Sequence, residues 1–121
     1  MKNILIIEDN AEIRENTAEL LGLSDYSVLT AENGDKGFIL AKKHKPDAIL
    51  CDMMMPASNG REFLRLARND TVVAEIPFVF FSADSAAAEI KKGLVKGAAG
   101  YLRKPFTEQQ LLDTVKNALA K

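Results

Sequence analysis

Short apolar segments that alternate with segments of helical periodicity constrain this fold more than any other feature of the sequence. The alternation occurs five times, and the apolar segments have the length of strands. The run Ile4 to Ile7 is apolar at every position, as in strands that are buried on both faces. The five predicted strands are Ile4 to Ile7, Ser27 to Ala31, Ala48 to Cys51, Pro77 to Phe81 and Gly100 to Arg103.

The segments between and after these strands predict five helices. The first ends near Gly22, and the second runs from about Asp35 to His44, after the turn signal Asn33-Gly34. The other three are predicted from a capping box at Asn59 and Glu62, an alanine-rich segment from about Ser85 to Lys96, and a capping box at Thr107 and Gln110. Five strand-helix units predict an α/β fold: a flavodoxin-like, doubly wound five-stranded parallel sheet in the order 2-1-3-4-5, with helices on both faces.

The composition is typical of one ordinary domain that spans residues 1–121. Hydrophobic residues make up 47% and charged residues 27%, so the chain can bury a core. The net charge of −1 argues against direct nucleic-acid binding and against a membrane-surface patch. The apolar run after Asn3 is too short for a signal peptide, and no run approaches a membrane span, so a cytoplasmic protein is expected. The single cysteine, Cys51, is expected to be a small buried residue and not a nucleophile.

The third predicted strand runs directly into Asp52, and Pro56 and Gly60 then mark a turn before helical periodicity resumes. Asp52 is therefore expected at the carboxyl end of a strand. In an open parallel sheet, ligands bind at this edge because the loops diverge there and helix N-termini point into the crevice. A lone aspartate after a strand is more often a turn former or a helix cap. A functional interpretation of Asp52 therefore depends on what the other strands bring to the same edge.

Three other predicted strands also end in polar or charged residues. Glu8 and Asp9 follow the first strand, Ser82 follows the fourth and Lys104 follows the fifth. Parallel strands present their carboxyl ends at one edge, so three carboxylates, a hydroxyl and an ammonium are expected to lie together. Two carboxylates within a few ångströms repel each other by about 1 kcal/mol near a surface, and a divalent cation would relieve that repulsion. Magnesium is the expected cofactor because it takes one or two carboxylates, a carbonyl and several waters, which leaves room for a phosphoryl group.

In this ordered arrangement the chain resembles the receiver domains of two-component response regulators, a chemotaxis-regulator-like type of phosphoacceptor domain. The resemblance covers the whole chain. Each motif is common alone, and their order at the ends of successive predicted strands makes the set specific. The motifs are the acidic pair Glu8-Asp9, Asp52 followed by Met55-Pro56 and Gly60, Ser82-Ala83, and Lys104-Pro105-Phe106.

The resemblance implies a chemical role for the residues at this edge. Asp52 is implied to be the phosphoacceptor, and Lys104 and Ser82 are implied to contact the phosphoryl group. The residues implied to hold Mg²⁺ are Glu8, Asp9, Asp52 and, through its main-chain carbonyl, Met54.

The resemblance also implies how the phosphorylated state is read and how long it lasts. Ser82 and Tyr101 are the implied switch residues, because movement of the hydroxyl towards the phosphoryl group would make room for the aromatic ring. Met54, Ala83 and Asp84 are the implied tuning positions. Met54 and Asp84 would flank the path by which water attacks the phosphoryl group.

The implied function is a phosphorylation-activated switch of a two-component phosphorelay. A sensor histidine kinase or a phosphotransfer protein would donate the phosphoryl group to Asp52. The domain would catalyse only its own phosphorylation and dephosphorylation, so it is not classed as an enzyme. Phosphorylation would change a face formed by the fourth helix, the fifth strand and the last helix. That face would bind a downstream effector or a second copy of the chain.

Three other classes of protein compete with the receiver domain as an interpretation of these residues. A haloacid-dehalogenase-type phosphatase needs a second acid two residues after the nucleophile, and that position is Met54. A Rossmann dinucleotide-binding domain needs Gly-x-Gly-x-x-Gly after the first strand, where this chain has residues 8–13 without glycine. The main alternative is a receiver-like protein-interaction scaffold that is not phosphorylated. A failure to incorporate a phosphoryl group would favour the scaffold.

Overall fold

The computed structural model describes residues 1–52, 65–67, 69–82, 100–103 and 105–120. Five strands in these residues form one sheet, and each lies within one residue of its predicted bounds. The strands are β1 (Asn3–Ile7), β2 (Ser27–Ala31), β3 (Ala48–Asp52), β4 (Phe78–Ser82) and β5 (Gly100–Arg103).

The sheet has the order β2-β1-β3-β4-β5, and every neighbouring pair is parallel, which confirms the predicted topology. Ile7 of β1 pairs with Cys51 of β3, and Asp52 pairs with Phe81 of β4. The residue after Ile7 is Glu8, so Glu8 and Asp52 lie at the same level of the sheet. The register of the strands thus brings the end of β1 beside the end of β3.

Three described helices begin with side-chain caps that the sequence encodes. The side chains of Asn10, Asn33 and Thr107 each accept a hydrogen bond from a main-chain N–H three residues further on. The predicted capping box of Thr107 and Gln110 is confirmed, because the Gln110 side chain also accepts from the Thr107 N–H at 2.9 Å. The helices are α1 (Ala11–Leu23), α2 (Gly34–His44) and α3 (Glu108–Leu119).

The first helix ends at Leu23, one residue beyond Gly22, and a left-handed backbone conformation follows at Asp25, where φ is 69°. The predicted turn before the second helix needs correction. The Asn33-Gly34 pair is not a separate turn, because Asn33 caps α2 and Gly34 is the first residue of that helix.

A short 3-10 helix, Val73–Glu75, precedes β4 and was not predicted. The Asp70 carboxylate lies just before it and accepts from the main-chain N–H groups of Val72 and Val73, and Lys42 of α2 lies 3.1 Å from the same carboxylate. Residues 65–67, at the end of the predicted third helix, are helical. The rest of that helix and the predicted fourth helix lie outside the described residues.

The sheet is covered on both faces, as predicted. Successive residues of each strand point to opposite faces, so the buried side chains form two clusters. One cluster packs β-strand residues such as Ile7 and Phe80 against Ala41 of α2 and against Val73. The other packs residues of the opposite face against α1 and α3, and its helix members include Leu21, Leu111, Val115 and Ala118. A membrane span would need a longer and more apolar helix than any in the described residues.

The aromatic residues of β4 belong to this core. Phe78, Phe80 and Phe81 are each at least 98% buried, and the rings of Phe78 and Phe80 stack with centroids 6.3 Å apart. They pack the two clusters on opposite faces of the sheet. The three rings are therefore part of the hydrophobic core.

Candidate functional site

Three carboxylates meet at the carboxyl edge of the sheet, between β1 and β3. Oxygen atoms of Glu8, Asp9 and Asp52 all lie within 4.8 Å of one another. Glu8 is fully buried, Asp52 is 5% exposed and Asp9 is exposed. The structure therefore brings together the three acids that the sequence placed at this edge. Two of them are buried and the third is exposed to solvent.

Glu8 is fixed through its main chain and its side chain. Its N–H donates to the Ala31 carbonyl at the end of β2, at 3.0 Å, and its carbonyl accepts from Arg14 Nη1 at 2.8 Å. Its carboxylate accepts from the Asn10 N–H at 3.1 Å. These bonds hold Glu8 at the junction of β1 and α1, and Asp9 lies between two anchored residues.

The donor set matches the chemistry of a hard divalent cation. Carboxylate oxygens are the protein ligands that Mg²⁺ prefers, and it needs only a few of them because it retains water. Two of the three acids are buried, where repulsion between charges is weakly screened by solvent. The residues present therefore fit Mg²⁺ by ligand type and by the need for a compensating charge.

Cys51 lies directly beneath this site and is fully buried. Burial raises the pKa of the Cys51 thiol well above its ordinary value, and the charges of Asp52 and Glu8 raise it further. The thiol therefore stays protonated, and it contacts the Asp52 carbonyl with Sγ 3.5 Å from the oxygen. The interpretation of Cys51 as a small buried residue is confirmed.

The other predicted site residues are only partly placed by the structure. Ser82 is the last residue of β4, next to Phe81, the β4 partner of Asp52. Tyr101 lies in β5, where it pairs with Phe80. The side chains of Ser82 and Tyr101 are outside the described part of the chain. Four further predicted residues are entirely outside it: Met54, Ala83, Asp84 and Lys104.

Sequence reasoning missed Arg14. This half-buried residue of α1 sends its guanidinium back past the start of the helix to the Glu8 carbonyl. A signal was present, because side chains in a helix lean towards its N-terminus and a long side chain one turn inside can reach the preceding residues. Charge alone does not reveal such a contact, since the acceptor is a main-chain carbonyl.

Comparison with known proteins assigns the chain to one family model. The model described as the response regulator receiver domain matches residues 4–116. The chain is 34% identical over 120 residues to Protein PilH of Pseudomonas aeruginosa, with 99% of each protein covered. It is 36% identical over 118 residues to the phosphate regulon transcriptional regulatory protein PhoB of the same organism. That match covers 98% of this chain and 52% of PhoB, so the chain spans about half the length of that relative.

Solved structures show the same architecture. The chemotaxis response regulator CheY4 of Vibrio cholerae superposes with a TM-score of 0.88 at 29% identity, and 98% of each chain is covered. A response regulator receiver domain protein from Clostridium thermocellum gives a TM-score of 0.90 at 28% identity, with 99% of this chain and 95% of the other covered. Both likenesses cover nearly the whole of this chain.

Proposed function

Because this chain belongs to the response regulator receiver domain family, we propose that Asp52 is its phosphoacceptor. Receiver domains are phosphorylation-dependent switches of two-component signalling, and this is the class of function of the chain. The convergence of Glu8, Asp9 and Asp52 within 4.8 Å is the observation that carries the assignment of Asp52. Asp52 is the member that ends a central strand of the sheet.

The chemistry proposed for Asp52 is transfer of a phosphoryl group from a phosphohistidine. A carboxylate oxygen of Asp52 attacks phosphorus, the P–O bond forms, and the P–N bond breaks with its electron pair going to the imidazole nitrogen. Hydrolysis reverses the modification: water attacks phosphorus and releases inorganic phosphate, which restores the carboxylate. The second step is the domain's own dephosphorylation.

The proposed roles of the surrounding residues follow from charge. Glu8, Asp9 and Asp52, with the Met54 carbonyl, would hold Mg²⁺, which supplies positive charge for the phosphoryl oxygens when bound. The Lys104 ammonium would also contact the phosphoryl oxygens and contribute a second positive charge. Because Glu8 and Asp52 are buried, solvent would screen these electrostatic interactions only weakly.

The output of the proposed switch is a change in the face formed by the predicted fourth helix, β5 and α3. Ser82 and Tyr101 lie on the adjacent strands β4 and β5, and Tyr101 pairs with Phe80, two residues before Ser82. A movement of Ser82 at the end of β4 would therefore occur close to the aromatic residue. Such a pair forms a two-state element that one local charge change can bias. Met54, Ala83 and Asp84 are proposed to set the lifetime of the phosphorylated state.

Receiver domains interact with histidine kinases or phosphotransfer proteins and with effectors. For this chain we propose a sensor histidine kinase or phosphotransfer protein as the donor. A downstream effector or a second copy of the chain would be the partner of the remodelled face. We further propose that residues 1–121 form one receiver domain that acts in the cytoplasm. Direct nucleic-acid and membrane binding are not part of the proposal.

The test is phosphorylation of the purified chain with a small phosphodonor, followed by proteolysis and mass spectrometry. The phosphoryl group should map to the peptide that contains Asp52, and a metal chelator should prevent its incorporation. A chain that takes up no phosphoryl group with Mg²⁺ present would support the unphosphorylated scaffold instead.

A further inference from the structure

We propose that Arg14 is a positioning residue that sets the metal affinity of the acidic edge, an inference that rests on the proposed function. The Arg14 guanidinium donates to the Glu8 carbonyl at 2.8 Å. The main-chain N–H of Arg14 donates to the Asn10 carbonyl at 3.0 Å. Glu8 and Asn10 are the two neighbours of Asp9, so one residue anchors the main chain on both sides of that acid.

The two contacts of Arg14 have different origins. The main-chain bond to Asn10 is the first i to i+4 bond of α1, and any residue at position 14 would make it. The bond to Glu8 needs a long side chain that leans towards the start of the helix and ends in a donor. Substitution of Arg14 therefore removes the anchor on one side of Asp9 and leaves the other in place.

The Glu8 carbonyl is the point at which this anchor matters most. The Glu8 N–H is held by Ala31 and its carboxylate by the Asn10 N–H, so the carbonyl is the remaining main-chain group that sets the direction of the chain towards Asp9. The peptide unit that contains this carbonyl also contains the Asp9 N–H. Its orientation fixes where the Asp9 side chain starts, and Asp9 is exposed and therefore held mainly through its neighbours.

Charge and geometry predict opposite effects on Mg²⁺ binding. The guanidinium is positive, so by Coulomb's law alone its removal should strengthen binding of a cation at the neighbouring acids. Loss of positioning should weaken binding, because the acids would no longer be held in the arrangement that the ion requires. The direction of the change therefore separates a positioning role from a bystander charge.

Isothermal titration of the whole chain with MgCl₂ tests the proposal. Arg14→Leu is expected to weaken Mg²⁺ binding about tenfold, the lower end of what loss of a supporting hydrogen bond at a metal site produces. Arg14→Lys keeps a positive charge and a donor and should recover most of the affinity. The matched control is Lys36→Met, because Lys36 lines a surface groove together with Arg14 and pairs with Glu32 instead of contacting Glu8. Its Mg²⁺ affinity should not fall.

Urea denaturation of each metal-free variant identifies any loss of folding. If Arg14→Leu does not fold, Arg14→Gln, which is polar and too short to keep the bond, carries the same expectation. Mg²⁺ binding by Arg14→Leu or Arg14→Gln that equals or exceeds that of the wild type would overturn the positioning role. A wild-type chain that binds no Mg²⁺ would instead refute the proposed metal site itself, so the two failures are distinguishable.

Discussion

The carboxylates of Glu8 and Asp52 lie within 4.8 Å of each other, although the two residues are far apart in the sequence and each is at least 95% buried. The parallel pairing of β1 with β3 produces this approach. Hydrophobic packing of the sheet supports the strands that hold the two acids in place. The fold therefore maintains a charge arrangement that is unfavourable alone and favourable for a cation.

The first prediction is that Asp9→Ala stabilises the metal-free protein. Asp9 faces two other carboxylates within 4.8 Å. Two like charges at that distance repel by roughly 0.9 kcal/mol even at the dielectric constant of water, so the free energy of unfolding should rise by about 1 kcal/mol. Saturating Mg²⁺ should narrow or reverse the difference because the ion binds the folded wild type more tightly. Urea titrations with and without the metal measure both effects. Destabilisation of the metal-free variant would show that repulsion at Asp9 is not significant.

The second prediction compares two helix glycines. Gly37 of α2 packs on Ile7, and a Cβ at position 37 would lie 2.6 Å from Ile7 Cγ1, whereas a Cβ at Gly22 of α1 would meet nothing within 4 Å. Gly37→Ala should therefore destabilise the fold by about 1–3 kcal/mol through overpacking. Gly22→Ala should stabilise it by about 0.5–1 kcal/mol, since alanine restricts the unfolded chain more. Chemical denaturation of both variants measures the change in the free energy of unfolding. An equal change in the two variants would mean that α2 can move away from β1 to accommodate the extra methyl group.

The third prediction concerns pH. The pKa of Asp70 is lowered from its ordinary value of 3.8, mainly by the hydrogen bond from the Val73 N–H and also by Lys42. A carboxyl with a lowered pKa stabilises the folded state above its ordinary pKa, and this contribution disappears as pH falls through the lowered value. Wild type should therefore be more stable than Asp70→Asn at pH 7. The difference in stability between the two proteins should shrink as the pH falls below about 4. Thermal unfolding measured from pH 7 to pH 3 tests this; a constant difference would refute it.

The fourth prediction concerns output. Tyr101→Ala should leave phosphorylation of Asp52 intact and remove the structural response, because the aromatic residue is proposed to couple the end of β4 to the partner face. Amide hydrogen exchange of the wild type should change in residues 85–106 after phosphorylation, and in the variant it should change only near Asp52. If wild-type exchange changes only near Asp52, the switch proposal is wrong.

The strands and their order were predictable because a strand that is buried on both faces is apolar at every position. Ile4 to Ile7 and Ala48 to Cys51 are apolar throughout, and polar residues mark their ends. The cap at Thr107 was predictable because Thr107 and Gln110 have the spacing of a capping box, whereas Asn33, followed by Gly34, has the sequence of a turn. The acids converge because β1 and β3 are neighbours in the sheet, so their contact followed once the order 2-1-3-4-5 was assumed.

Features that depend on contacts between distant residues were not predictable. The Asp70 carboxylate accepts from the N–H of Val73 at the start of the 3-10 helix, and it also pairs with Lys42 of α2, which is distant in the sequence. Arg14 was missed for a different reason: its acceptor is only six residues away, but it is a main-chain carbonyl, which the pattern of charges does not reveal. Neither contact alters the periodicity of apolar residues, which is the feature of the sequence that predicts strands and helices.

The central claim is that Asp52 alone accepts the phosphoryl group, and intact-protein mass spectrometry tests it most directly. Wild type, Asp52→Asn and the control Asp47→Asn are incubated with Mg²⁺ and a small phosphodonor. Asp47 directly precedes β3, at the end of the strand opposite Asp52, so the control changes an aspartate of the same segment. The account predicts a gain of one phosphoryl group for wild type and Asp47→Asn and none for Asp52→Asn. Unchanged labelling of Asp52→Asn would contradict it.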